Sequence, residues 1–395
     1  MFKTDIVKRF EALSTPFYYY DLGLLRRTLE NLVSAARNYN FIVHYAMKAN
    51  TNDVILSTIK NYGLGADCVS GNEIKKAIEI GFSNEHIVFA GVGKTDTEIN
   101  HALDVNIFCF NCESSQEIEV VNELAGRKGK VARIALRINP NVNANTHHYI
   151  TTGLEENKFG INLWELEAVI KSIKSSRNLN LIGIHFHIGS QITDLNSFKN
   201  LCTRINEIQK WFESHHIYLE HINAGGGLGV NYHEPEKNAI PDFEIFFKIF
   251  HDFLERRPNQ KIHFELGRSV VAQCCSLISR VLYIKNGLHT NFIILDAGMT
   301  ELIRPALYQS YHKIENISSR LLQFPFGNSD VSYKYTKYDV VGPICESSDC
   351  FGKSVELPET SRGDLFALHS AGAYGEVMAS NYNLREKALS VYSDF

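Results

Sequence analysis

Several features that would narrow the function are scarce in this sequence. Neither sign of charge is in excess: 40 lysines and arginines stand against 44 aspartates and glutamates, a net charge of −4. That balance gives no pull toward nucleic acid or an anionic membrane. No apolar run reaches the length of a membrane span. The N-terminus, Met1-Phe2-Lys3-Thr4-Asp5, lacks the apolar core of a secretion signal. The eight cysteines are dispersed, with neither paired metal-ligand spacing nor a compact disulfide framework. Cys345 and Cys350 stand close together, but no second pair follows, so no metal site is expected. These absences lead to the expectation of a reduced, cytoplasmic protein. Internal repeats and low-complexity segments are absent as well.

The composition is that of a globular protein: 395 residues, 44% hydrophobic and 21% charged, enough for two or more domains. Strands are expected at 41–47, 64–69, 86–90, 105–110, 131–138, 181–187, 218–224 and 261–265. Helical spacing of apolar residues fills stretches such as 72–80, 115–124, 164–173 and 198–215, and one helix, 24–38, precedes the first strand. Eight strands alternating with helices over about 240 residues fit a closed (β/α)8 barrel. An open doubly wound sheet is the alternative on pattern alone. Beyond about residue 270 the pattern turns to strands, at 275–283, 292–295, 332–341 and 365–368, with sparse helical signal, which points to a separate β domain. The segment 16–21 is strand-like too and could pair into that domain. The expected architecture is therefore α/β plus all-β. A barrel domain spans 24–268, and a β domain of sandwich or Greek-key type is built from 1–23 and 269–395.

In a (β/α)8 barrel, chemistry collects at the C-terminal ends of the strands. Polar residues do collect there in this sequence. Lys48 ends the first strand, Asp67 and Ser70 the second, and Asn139 the fifth. His187-Ile188-Gly189-Ser190 ends the sixth, Asn223-Ala224-Gly225-Gly226-Gly227-Leu228-Gly229 the seventh, and Glu265-Leu266-Gly267-Arg268 the eighth. A partly desolvated lysine at such a position has a lowered pKa and attacks an aldehyde; the alternative is a surface lysine beyond a strand. Glycines admit an anion close to backbone N–H groups, so the run at 225–229 reads as a phosphate cradle or a flexible turn. Glu265 could hold the proton of a pyridine nitrogen, as pyridoxal phosphate requires, or be an ordinary salt-bridged carboxylate. His185 and His187 share a strand face. His187, nearer the end, is preferred as the ring that faces a cofactor, and His185 as a core histidine. In the β region, Arg304 and Tyr308 could clasp a substrate carboxylate. Cys345 is either a proton donor to a carbanion or a structural thiol. Tyr374 either reaches the site or packs in the β domain. The segment 141–152 is a candidate lid, and its His147-His148 pair has no assigned role.

Together these residues mark a resemblance. The sequence is similar, from about Tyr18 to Asn383, to the diaminopimelate decarboxylases, which belong to the alanine-racemase-like, fold type III group of pyridoxal phosphate enzymes. The motifs are HYAMKAN at 44–50, HFHIGSQI at 185–192, NAGGGLG at 223–229, ELGRS at 265–269, DAGMTELIRPALY at 296–308, CESSD at 345–349 and GAYGEVMASNYN at 372–383. The two most specific stretches are Arg304–Tyr308 and Cys345–Asp349. The family's usual glutamate-proline-glycine-arginine is Glu265-Leu266-Gly267-Arg268 here, and leucine lacks proline's fixed φ. Thr300-Glu301 is a second local variation.

The resemblance implies that Lys48 carries pyridoxal phosphate covalently and that His187 stacks on its ring. It implies that Glu265 pairs with the ring nitrogen and that Asp67, Ser190, Gly226, Gly227, Gly267, Arg268 and Tyr374 also contact the cofactor. Arg268, Arg304, Tyr308, Glu346 and Tyr374 would bind substrate, with Glu346 at its distal amino group, and Cys345 would return the proton. A homodimer follows, with Cys345 and Glu346 donated in trans. The implied reaction converts meso-2,6-diaminopimelate, at its D-centre, to L-lysine and CO2, the last step of lysine biosynthesis. Two rivals act on the same fold. One is a decarboxylase of ornithine, arginine or carboxynorspermidine. The other is an amino-acid racemase, which the strong electron sink at Glu265 disfavours. A non-catalytic carrier could dispense with the β domain and Cys345, and a pseudoenzyme would typically lose Lys48 or its acid.

Overall fold

The structure is a computed structural model, described over residues 2–142, 158–319 and 334–394. The expected lid at 141–152, with His147 and His148, lies almost wholly outside the described residues. The chain divides into two compact units: Met1–Leu25, Val230–Ile240 and Val271–Phe395 form one, and Arg26–Gly229 and Pro241–Val270 the other.

Chain order begins with helix α1 (Thr4–Glu11) and strand β1 (Phe17–Tyr20), then helix α2 (Leu22–Asn38). The barrel strands follow: β2 (Phe41–Ala46), β3 (Gly65–Cys68), β4 (Ile87–Phe89), β5 (Cys109–Cys112), β6 (Ala132–Arg137), β7 (Leu179–His185), β8 (His221–Asn223) and β9 (Lys261–Leu266). All neighbours are parallel, and β9 closes on β2, so the sheet is a barrel and not an open doubly wound sheet. Helices α3 (Asp53–Asn61), α4 (Gly71–Ile80), α5 (Asp96–Asp104), α6 (Ser115–Arg127), α7 (Leu166–Ser175), α8 (Asn196–Ser214) and α9 (Phe243–Phe253) lie between the strands. Several start sharply because a short polar side chain caps them. Asn52, Ser70, Thr95, Ser114 and Asp242 each accept a first-turn backbone N–H.

Alternation fixes what faces inward. In β9, Phe264 points outward into a cluster of edge-on rings from Phe246, Phe247 and Phe250, with centroids 4.8–5.6 Å away. The residues on either side of it, His263 and Glu265, therefore face the barrel interior. Interiors of this fold are usually filled with branched aliphatics. Here a chain of imidazoles takes their place: His44 Nε2 lies 2.9 Å from His263 Nδ1, and His263 Nε2 lies 2.8 Å from His221 Nδ1. One carbonyl sets every tautomer. His44 Nδ1, 3.0 Å from the oxygen of His86, must donate, so its Nε2 accepts, and the same logic runs on to His221. Burial pushes His44 down to about 4 and lowers His263 and His221 as well, so the chain is neutral.

The second unit is a mixed sheet built on the long strand β10 (Cys275–Asn286), joined by β11 (Asn291–Leu295), β12 (Ile314–Asn316), β13 (Tyr335–Val341), β14 (Cys350–Pro358), β15 (Leu365–Leu368) and β16 (Leu389–Tyr392). The first half of β10 pairs with β1 and β15 and its second half with β11, so one strand serves two wings. The N-terminal strand β1 belongs to this sheet, antiparallel to β10 and parallel to β16. Val7, Phe10, Phe17, Tyr19, Ile278, Ile317, Leu365 and Ala367 form its core. Val230–Ile240, expected within the barrel, groups with this sheet. The Arg304 guanidinium sits over the Tyr232 ring, Gln273 binds the carbonyl of Asn238 at 2.8 Å, and Lys313 pairs with Glu236.

Candidate active site

Lys48 lies just past β2, in a single helical turn, Met47–Ala49, and not in the strand itself. Its amine is 3.9 Å from Asp67 Oδ2, and its side chain is 39% exposed against 1% for Asp67. Neither carboxyl oxygen of Asp67 has a hydrogen-bond donor among the described residues. Burial first, then the charge of Glu265, push the Asp67 carboxyl well above its usual range, and Lys48 offsets this only in part. A contact of 3.9 Å is at the limit for an ion pair, and a buried carboxylate without donors is costly, so the Asp67 carboxyl is disfavoured as an anion.

Glu265 lies at the same end of the barrel, on the strand beside the one that leads to Lys48, with its Cα paired to that of His44. Its Oε1 accepts from the Asn223 amide at 2.7 Å and the Asn111 amide at 3.1 Å, and its Oε2 lies 2.9 Å from His185 Nε2. Burial works against the charged form. The His185 ring and its hydrogen bond, with the Lys48 ammonium, outweigh it, so the carboxyl is held well below the usual range. His185, expected to be a core histidine, is thus the partner of this carboxylate.

His187 lies two residues past His185, beyond the end of β7, half-buried. Its Nδ1 faces the backbone N–H of Gly226 at 3.5 Å. Burial, then the cations Lys48 and Arg137, push its imidazole well below the ordinary value, so the ring is neutral. Ser190 Oγ accepts from Arg268 at 3.0 and 3.3 Å. The glycines close the ring around these groups. A Cβ on Gly226 would stand 1.8 Å from the Glu265 carbonyl oxygen. Gly227 has φ +103, and a Cβ there would meet the Gly189 oxygen at 2.5 Å. A side chain at either position would pry the loop after β8 off its neighbours. Gly267 is packed against Ala46 and Ala49, beside Lys48.

The remaining expected residues belong to the β unit. Helix α10 (Arg268–Val271) ends the barrel segment, and the short helix α11 (Arg304–Tyr308) follows β11. The Arg304 guanidinium is buried, 3.0 Å from the Tyr232 hydroxyl, 2.8 Å from His312 Nε2 and 3.3 Å from Ser310 Oγ. Tyr308 is half-buried at the end of that helix. Tyr374 has φ +59, a left-handed conformation that is strained for an aromatic residue and marks a constrained position. Cys345 and Glu346 are exposed on the loop between β13 and β14. Asp349 pins that loop from below, accepting from the N–H groups of Met299 at 2.6 Å and Ile344 at 2.7 Å. Glu346 accepts from the Tyr382 hydroxyl at 2.8 Å.

Comparison with known proteins decides the family. The description "Pyridoxal-dependent decarboxylase, pyridoxal binding domain" matches residues 22–272. A diaminopimelate decarboxylase of Bacteroides thetaiotaomicron is 54% identical over 389 residues, covering 98% of each chain. One of Helicobacter pylori is 41% identical over 97% of this chain and 91% of its own. The chain belongs to the diaminopimelate decarboxylase family. The crystal structure of the Helicobacter pylori diaminopimelate decarboxylase complexed with L-lysine superimposes with a TM-score of 0.89, at 38% identity, over 98% of this chain and 93% of that one. The Paramecium bursaria Chlorella virus arginine decarboxylase, 22% identical with a TM-score of 0.84, shares the fold.

The barrel residues suit what this family binds. They offer an amine for the aldehyde of pyridoxal phosphate and a hydroxyl–guanidinium pair with glycine N–H groups for its phosphate. They also offer a carboxylate held ionised for its ring nitrogen. Asp67's unmatched oxygens and a remaining acceptor site on Glu265 Oε2 are groups a ligand would satisfy. Sequence reasoning missed His185, Asn111 and Arg137. Asn111 stands alone as an amide in the apolar run 107–112, a signal hidden by ending that strand at 110. Arg137, at the end of β6, donates to Glu113 at 2.6 Å, and Glu113 also accepts from Gly91 and Gly160 N–H groups, tying three rim loops together.

Proposed function

We propose that this diaminopimelate decarboxylase family member removes the carboxylate from the D-centre of meso-2,6-diaminopimelate to give L-lysine and CO2, with pyridoxal phosphate held by Lys48. The observation that carries this reading is that Lys48, just past β2, and Glu265, on the neighbouring strand β9, lie at one barrel end, with Glu265 held as an anion by its donors. When bound, the cofactor supplies an electron sink for the pair released as CO2 leaves. The residues do the rest. Lys48 Nζ would hold the aldehyde carbon. Glu265 keeps the ring nitrogen protonated. His187, neutral, faces the ring. Ser190, Gly226, Gly227, Gly267 and Arg268 hold the phosphate by hydrogen bonds and charge, and Asp67 attends the Lys48 amine. Tyr374 contacts cofactor and substrate.

Arg268, Arg304 and Tyr308 bind the carboxylate that is kept, which ornithine lacks. Glu346 meets the distal ammonium. Cys345 gives its thiol proton to Cα, so one proton replaces the carboxylate lost. Cys345 and Glu346 reach the site from the partner subunit of a homodimer. Their exposure, together with that of Leu384 and Leu389 in the same unit at 92% and 72%, supports a second copy packing on this unit. The test supplies purified protein and pyridoxal phosphate with each stereoisomer of diaminopimelate and with ornithine, and follows CO2 and lysine. Release of both from the meso isomer, well above any turnover of ornithine, is expected. Equal turnover of ornithine, or loss of optical activity without CO2, would contradict the reading.

A further inference from the structure

An ionised carboxylate accepts about four hydrogen bonds. Three of the sites on Glu265 are filled, each from a different strand: His185 on β7, Asn223 on β8 and Asn111 on β5. All four residues are buried. Both asparagine amides reach Oε1, and His185 reaches Oε2, which leaves one acceptor site on Oε2 without a donor among the described residues. The geometry also fixes the roles in the histidine contact. A carboxylate can only accept, so Nε2 carries the proton and donates.

His185 occupies this position at a cost. Its Nδ1 is buried with no hydrogen-bond partner among the described residues. A buried polar atom left unmatched is unfavourable. A residue retained for packing alone would be better replaced by an apolar one. What remains to justify the imidazole is the hydrogen bond from Nε2 to Oε2. Without it the buried carboxyl would lose the largest influence opposing burial, its pKa would rise, and it would take a proton of its own. A protonated partner no longer holds the proton of a pyridine ring.

We propose that His185 is the positioning residue for Glu265, its Nε2–H fixing the carboxylate as an acceptor and leaving one site on Oε2 for the ring nitrogen of pyridoxal phosphate. This rests on the reading that Glu265 pairs with that nitrogen. Two substitutions separate the hydrogen bond from mere bulk. The amide nitrogen of glutamine falls near Nε2 of histidine, and that of asparagine near Nδ1, so His185→Gln keeps the donor and His185→Asn loses it.

Cofactor-free protein is titrated with pyridoxal phosphate and with its 1-deaza analogue, in which the ring nitrogen is carbon, and the ratio of dissociation constants is taken. Wild type should prefer pyridoxal phosphate by about tenfold or more, as a hydrogen bond to a charged group implies. His185→Gln should keep that preference, and His185→Asn should bring the ratio near one and make pyridoxal phosphate binding weaken as pH falls. A purely structural role would weaken both ligands alike and leave the ratio unchanged. An unchanged ratio in His185→Asn, or a lost ratio in His185→Gln, overturns the proposal, and the glutamine variant carries the test alone if the asparagine variant does not fold. A wild type without preference overturns the Glu265 reading itself, and this inference with it.

Discussion

Each side chain around Lys48 and Glu265 has its charge state set by what surrounds it. Asp67 and Glu265 are both buried carboxyls, yet they are driven apart. Glu265 has three donors and stays ionised, while Asp67 has none among the described residues and is pushed well above its usual range. In the proposed reaction the first would serve the ring nitrogen and the second would attend the Lys48 amine. Replacing Glu265 by glutamine keeps the shape but removes the charge. We expect kcat to fall by about a hundredfold or more, as for other preorganised electrostatic groups, with the thermal midpoint moving little. Steady-state kinetics beside a melting curve checks this, and an unchanged kcat would contradict it. The gathering of Lys48, Glu265 and the glycines at one end of the barrel was legible from residue type at strand ends. His185 was not, because alternation places 185 and 187 on one face and cannot say which of them meets a carboxylate from a strand 80 residues away.

At the scale of elements, the position of Glu265 depends on a helix that never touches the site. Helix α9 carries Phe246, Phe247 and Phe250 on one face, all buried, and they enclose Phe264 on the outside of β9. A one-residue slip of that strand would turn Glu265 outward. Phe264→Ala should therefore cost about 3–5 kcal/mol, the usual price of deleting a buried ring, seen as a lower denaturant midpoint together with weaker cofactor binding. Normal cofactor affinity at reduced stability would show that the register survives without the ring. Most strands were legible because β-branched and aromatic runs alternate with helical ones. The strand expected at 105–110 instead runs Cys109–Cys112. Val105 caps helix α5 and Asn106 adopts φ +53, so residues 105–108 serve as the helix end and turn before the strand begins. Periodicity cannot distinguish a buried turn from a strand of the same composition.

At the scale of the whole molecule, the imidazole chain inside the barrel makes stability depend on pH. His44 has a folded pKa of about 4 against an ordinary 6.5, so between those values the unfolded chain binds more protons. The contribution is fully present above about pH 6.5 and is lost as pH falls toward 4, with His263 and His221 acting in the same direction. For His44 alone this amounts to on the order of 3 kcal/mol. Wild type should lose thermal stability between pH 7 and 5, and His44→Gln, which cannot titrate, should lose less. Identical slopes would contradict the assignment. The proposed sharing of sites between subunits gives a separate prediction. Lys48→Ala and Cys345→Ala should each be inactive alone, but after unfolding and refolding as an equal mixture they should recover about a quarter of wild-type activity, because half the dimers then hold one intact site. No recovery would place both residues in one subunit's site. The two-unit plan was legible from the change in pattern near residue 270. The return of Val230–Ile240 to the β unit was not, because it depends on contacts such as Tyr232 with Arg304 that are distant in sequence.

The account depends most on which lysine carries the cofactor. Protein loaded with pyridoxal phosphate, treated with borohydride to make the link permanent, digested and mapped by mass spectrometry reads this directly. The pyridoxyl mass on the peptide containing Lys48, and its loss in Lys48→Ala, is the predicted result. The same mass on a different lysine, with Lys48 unmodified, would contradict the assignment of the site.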